Sequence, residues 1–224
     1  MHISPDEIIW WRLGVISLNG TILYTWIVMA ILTVGSWLVT RRLSTDVRIS
    51  RWQHALEVIV DGMRRQVMEI SRREPKGFLP FLGTLFLYIA VSNLLSIVPG
   101  FASPTGSLST TAALSICVFL AVPGYGISEM GLKKYLMNYL RPTPFMLPFN
   151  IMGEVSRTLA LAVRLFGNIM SGAMIGAILL AVAPLIFPVI MQLLGLLTGM
   201  VQAYIFAILA AVYIGAGMEV QKKG

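Results

Sequence analysis

Asn150, Glu154, Arg157, Arg164 and Asn168 stand 4, 3, 7 and 4 residues apart in an otherwise apolar run that reads NIMGEVSRTLALAVRLFGN. On a helix this spacing gathers all five into a sector of roughly 80°, a polar stripe about five turns long that only Leu161 interrupts. Side chains of these types lack a nucleophile and its base; what they can do is handle charge. A guanidinium keeps its proton at any relevant pH, and holding one at mid-membrane costs ~2.5–3.5 kcal/mol on insertion scales. Glu154 can neutralise Arg157 at i,i+3, which suits a structural ion pair as well as the wall of an ion path. Arg164 differs, because its i±3 and i±4 neighbours are Ala160, Leu161, Gly167 and Asn168. No carboxylate of its own helix reaches it, and Glu129 and Glu219 stand near span ends. Its counter-charge is therefore expected from another chain.

The segment that follows carries Thr198 and Gln202 as i,i+4 neighbours, with Gly195-x-x-x-Gly199 permitting close helix approach. Gln202 fits either a path-lining amide or a hydrogen bond across a helical hairpin. Ala203, Ala207, Ala210, Ala211 and Gly215 keep this helix slender, as Ala160, Gly167, Ser171 and Gly172 do its neighbour. Such small side chains serve static packing or make a smooth surface past which something moves. Elsewhere the chain offers little chemistry. It has no Gly-rich phosphate loop or nucleophile elbow, and no cofactor is expected. His2 and His54 are its two histidines, expected as solvated and interfacial residues, with no metal site. Cys117, alone in an apolar run, excludes an intrachain disulfide and reads as a small buried hydrophobe.

The elements that must position these groups are membrane helices. Of 224 residues 57% are hydrophobic and 12% charged, about half the charge of a soluble domain, so the surface itself must be apolar and the solvent largely lipid. The fold class is an all-α membrane protein, a single polytopic domain over 1–224. An interfacial N-terminal helix is expected within 1–17, capped at Ser4-Pro5-Asp6-Glu7 and followed by Trp10 and Trp11 at headgroup level. A span over 18–40 closes on Arg41-Arg42. Within 41–76, Trp52, Leu56, Ile59, Val60, Met63, Val67 and Ile70 recur at helical spacing among charges, an amphipathic segment for the membrane surface or a partner subunit. Two spans occupy 77–130, separated after Pro99-Gly100 by an uncharged loop over 101–109 rich in Ser, Thr and Gly. The stretch 147–220, divided at Pro184, is a hairpin of two helices longer than a perpendicular crossing needs, hence strongly tilted. That makes five membrane-embedded helices.

The net charge of +7 belongs to topology rather than to nucleic acid. Segments 41–76, 131–146 and 221–224 hold 14 of the 17 Lys and Arg, and five crossings put all three on one side. Positive charge marks the cytoplasmic face, so the N-terminus is expected outside and the C-terminus inside.

Arg164-Leu-Phe-Gly-Asn168, preceded by Ser156-Arg157 and followed by Gln202-Ala-Tyr-Ile-Phe206, resembles the subunit a family of F-type ATP synthases, and the likeness covers most of the chain. The resemblance implies the stator half of a rotary ion channel in a bacterial inner membrane, bound to a ring of c subunits and to peripheral-stalk b subunits. It implies that Arg164 meets a carboxylate on each passing c subunit, favours its ionised form, displaces its ion and blocks a direct leak. It also implies two offset half-channels for H+ (or Na+), with Gln202 and Asn168 beside the arginine and Glu154, Arg157 and Asn150 shaping one access route. ATP chemistry would happen in a separate catalytic head. The chain departs from the common family pattern in having Ala173, Gly195 and Asn150 where acids or His are frequent, and Asn93 and Ser96 where outer-channel acids are frequent. Neutral oxygen and amide groups, Thr198 among them, then line the path and suit water-borne protons or Na+. A secondary transporter would show internal repeats and broken helices, which the sequence lacks. A purely structural anchor needs no unpaired arginine in lipid.

Overall fold

A computed structural model of the chain describes residues 9–13, 16–41, 51–71, 77–98, 100–139, 145–182 and 187–219. Two short strands, β1 (Ile9–Leu13) and β2 (Ile16–Asn19), precede seven α-helices: α1 (Gly20–Thr40), α2 (Arg51–Ser71), α3 (Leu79–Leu95), α4 (Leu108–Met130), α5 (Leu132–Tyr139), α6 (Met146–Val182) and α7 (Phe187–Glu219). Four helices are long and apolar enough to cross a membrane, with windows at Gly20–Leu38, Leu108–Glu129, Leu147–Ala181 and Val189–Gly217; the apolar stretch of α3, Leu79–Leu95, is shorter.

The helix boundaries follow the apolar runs within a few residues, and α2 is the amphipathic segment expected within 41–76. The expected N-terminal helix is corrected. Its residues 1–8 lie outside the described residues, but β1 and β2 pair antiparallel, with Trp11 opposite Leu18, Arg12 opposite Ser17 and Leu13 opposite Ile16. Ile9, Trp10, Trp11 and Ile16 are of the β-branched and aromatic types that favour extended backbone, and a helix this short gains too few bonds to offset its nucleation cost. The stretch after Gly131, expected only as a basic connection, contains α5. It turns from α4 at Gly131, whose φ of 80° suits glycine, and plants Tyr135 against Gly126, where an added Cβ would lie 2.6 Å from the tyrosine ring.

The core is built around α7. Ala203, Phe206, Ala207, Ala210, Ala211 and Ile214 are buried along one face of it, packed with Leu82, Leu85 and Ile89 of α3, Val118 and Val122 of α4, and Leu161 and Leu165 of α6. The alanines of α7 are thus static packing that lets three neighbours approach closely. The uncharged loop between α3 and α4 is also internal: Pro104, Thr105, Gly106 and Ser107 are buried, Pro104–Gly106 forming a single 3-10 turn. Backbone outside a helix needs partners at this depth. The amides of Gly106 and Ser107 bond back to Ser103 O and Pro104 O, while Ser103–Thr105 and Ser107–Ser109 hydroxyl pairs lie at 2.7 and 2.6 Å. Tyr24 of α1 donates to Gly100 O at 2.9 Å and stacks edge-on against Phe101, tying α1 to this connection. At the other end of α1, Arg41 lies 4.9 Å over the Trp37 ring, an aromatic–basic pair of the kind found at a membrane interface.

Candidate functional site

α6 divides into three faces, and its polar stripe runs along the boundary between two of them. Leu161, Ala162 and Leu165 are buried toward the core, whereas Phe149, Met152, Leu159 and Val163 are exposed on the opposite side. Arg157 and Arg164, seven residues apart, emerge between these faces and are both exposed in the isolated chain. Asn150, Glu154 and Asn168 are half-buried on the same stripe. The sequence-derived alignment of the five residues is thereby reproduced on one helix.

Among the described residues, no hydrogen bond, ion pair or ring contact reaches Arg164. Among these residues the guanidinium has neither a permanent acid nor an aromatic partner. Arg157 does have one, since its Cζ lies 5.7 Å from the centroid of the Tyr213 ring on α7. Tyr213 escaped the sequence reading, because a tyrosine in an alanine-rich helix signals nothing without knowledge of which face meets α6.

The glycines and small residues of α6 lie open among the described residues. A Cβ added at Gly153, Gly167, Gly172 or Gly176 would meet nothing within 4 Å, and Ala160 and Ser171 are exposed. Gly153, Ala160 and Gly167 recur every seven residues beside Arg157 and Arg164, which is the period of a face presented to another helix. Among the described residues nothing crowds these glycines.

Gln202, by contrast, is 6% exposed, and its Nε2 has no hydrogen-bond partner among the described residues. One turn earlier in α7, Thr198 O accepts from Asn168 Nδ2 of α6 at 3.3 Å. Thr198 itself is exposed and spends its hydroxyl on Leu194 O and Gly195 O. Asn93 of α3 is buried and fully engaged: its Nδ2 donates to Gly199 O at 2.8 Å and its Oδ1 accepts from Thr105 Oγ1 at 3.3 Å. Ser96, exposed at the end of α3, donates to Asn93 O at 2.6 Å. Thr105 and the acceptor at Gly199 were not singled out by sequence, although the Gly195-x-x-x-Gly199 spacing pointed to a close approach at that turn.

Residues 22–215 match the family described as ATP synthase A chain. The chain is 61% identical over 216 residues to a protein of Nitrosospira multiformis named ATP synthase subunit a, covering 96% of this chain and 86% of the relative. It is 60% identical over 222 residues to ATP synthase subunit a 2 of Acaryochloris marina, covering 99% and 95%. ATP synthase subunit a 1 of Chlorobaculum parvum is 60% identical over 223 residues, covering 100% and 99%.

Proposed function

Because the chain belongs to the ATP synthase A chain family, we infer that its α6–α7 pair is the stator wall of a rotary proton channel, with Arg164 as the charge that releases the ion. The observation that carries this reading is a guanidinium exposed on a small-residue face with no counter-ion among the described residues. A fixed charge in low dielectric attracts a carboxylate strongly, since two unit charges 4 Å apart interact by about 4 kcal/mol at an effective dielectric of 20. The open glycines beside it let a neighbouring helix bring that carboxylate close. The ring of c subunits supplies the carboxylate, and each one that arrives is held ionised and gives up its proton. Being permanently charged, Arg164 also repels cations that would cross without turning the ring.

The remaining polar groups form two access routes in this reading. Asn150, Glu154 and Arg157 shape the cytoplasmic one, while Gln202, Asn168, Thr198 and Ser96 line the outer one. Five embedded helices, α1, α3, α4, α6 and α7, put the basic segments 41–76, 131–146 and 221–224 on the cytoplasmic side. Residues 37 and 33 in number for α6 and α7 correspond to about 55 and 50 Å of helix, against a hydrocarbon core of ~30 Å, which supports a strongly tilted hairpin. Its Pro184 turn lies outside the described residues. The exposed face of α1, including Trp26, offers a seat for peripheral-stalk b subunits or lipid.

The test is Arg164→Ala in the assembled complex, in inverted membrane vesicles. ATP-driven proton pumping and proton-driven ATP synthesis are expected to fall to background while the complex still assembles. Near-wild-type rates would end the reading. Pumping measured with and without Na+, and with a protonophore, identifies the ion: sodium-dependent transport that survives the protonophore replaces H+ with Na+.

A further inference from the structure

Two asparagines from different helices grip consecutive carbonyls of α7. Asn93 of α3 donates to Gly199 O at 2.8 Å and Asn168 of α6 donates to Thr198 O at 3.3 Å. Consecutive carbonyls project about 100° apart around a helix, so the two amides hold α7 from two directions and oppose both its rotation and its sliding. The Asn93 arm is the rigid one. Its other end accepts from Thr105, Thr105 pairs with Ser103, and Asn93 and Thr105 are buried. Gly199 is the residue that permits the approach, because a Cβ there would stand 3.0 Å from both Cγ and Nδ2 of Asn93.

What this grip secures lies one turn on. In an α-helix the carbonyl of Thr198 accepts from the backbone amide of Gln202, so Asn168 fastens the carbonyl on which Gln202 itself hangs. Gln202 Nε2 is buried with no acceptor among the described residues, a state with an unrecovered desolvation cost. A helix free to rotate would relieve that cost by turning the amide toward water or toward a carbonyl. Something must hold it in place, and the paired asparagines are positioned to do so.

We propose that Asn93, seated against Gly199 and braced by Thr105, is a positioning residue that fixes the register of α7 and keeps the unpaired amide of Gln202 aimed at the ion path beside Arg164. In this proposal Asn93 acts through α7 rather than on the ion. The proposal rests on the functional reading above.

Three variants of the whole complex test it: Asn93→Ala, Gly199→Ala and the double variant, with Arg164→Ala as reference. ATP-driven pumping, ATP hydrolysis and the amount of assembled complex are measured on the same vesicles. Each single variant is expected to lower pumping per assembled complex about tenfold, the order of effect of a small misplacement in a reacting site, while hydrolysis falls much less. Because both variants break one contact, the double variant is expected to be no worse than either single one. A merely structural contact would lower pumping and hydrolysis together, in proportion to assembly, and would overturn the proposal. So would multiplicative losses in the double variant, or pumping within twofold of wild type. If Arg164→Ala pumps normally, the functional reading has failed; if it is silent while Asn93→Ala pumps normally, the positioning role alone has failed.

Discussion

Arg164→Lys separates charge from permanence of charge. Lysine brings a cation to the same turn of α6, but as a compact ammonium that lacks the planar five-donor fork and, unlike the guanidinium, can give up its proton. Pumping by Arg164→Lys relative to wild type is expected to be low, and to increase as the assay is made more acidic. A ratio that is flat with pH would mean that the loss lies in the guanidinium's shape. The stripe that contains this residue was legible in the sequence, since five polar side chains at 4, 3, 7 and 4 spacing can share a face only on a helix, and rigid helical geometry does the rest. The partners of that stripe were not legible. Tyr213 beneath Arg157, and Gly199 and Thr105 around Asn93, depend on how three helices and the loop before α4 meet. Periodicity within one helix carries no information about its rotation against another.

Long apolar runs declared α1, α4, α6 and α7 because a bilayer imposes a minimum length that the sequence must show. Shorter elements obey competing preferences. β1 and β2 were read as helix from capping and tryptophan signals, yet β-branched and aromatic residues paired instead. The Ser/Thr-rich loop before α4 was read as a connection, and the burial of Pro104, Thr105, Gly106 and Ser107 places it inside the bundle. α5 was missed because eight residues give barely two turns of pattern. Its attachment makes a prediction: Gly126→Ala drives a Cβ into the Tyr135 ring, an overpacking worth about 1–3 kcal/mol. The purified complex should lose thermal stability at this subunit, and Gly126→Ala combined with Tyr135→Leu should recover much of the loss. An unchanged melting profile in the single variant would show that α5 moves aside at no cost.

Taken together, the helices set the two faces of the membrane, and charge placement decides which face is which. With Cys117 replaced by serine, a cysteine at Glu57 in α2 should react with a membrane-impermeant maleimide from the cytoplasmic side, and one at Val98 after α3 from the outer side. Labelling of both from one side would break the topology of five crossings. The same arrangement leaves the open glycines of α6 on the outside of the bundle, beside two arginines at a seven-residue interval. Interlocking helices normally owe their fixed register to knobs seated in holes. In the proposed rotary reading, a flank shaved down to glycine, alanine and serine gives a sliding neighbour almost nothing to catch on, so the mechanical landscape along the slide is nearly flat and the arginine charge becomes its detent. Growing a side chain at Gly153 or Gly167 would therefore act as a brake, slowing turnover without touching the charge.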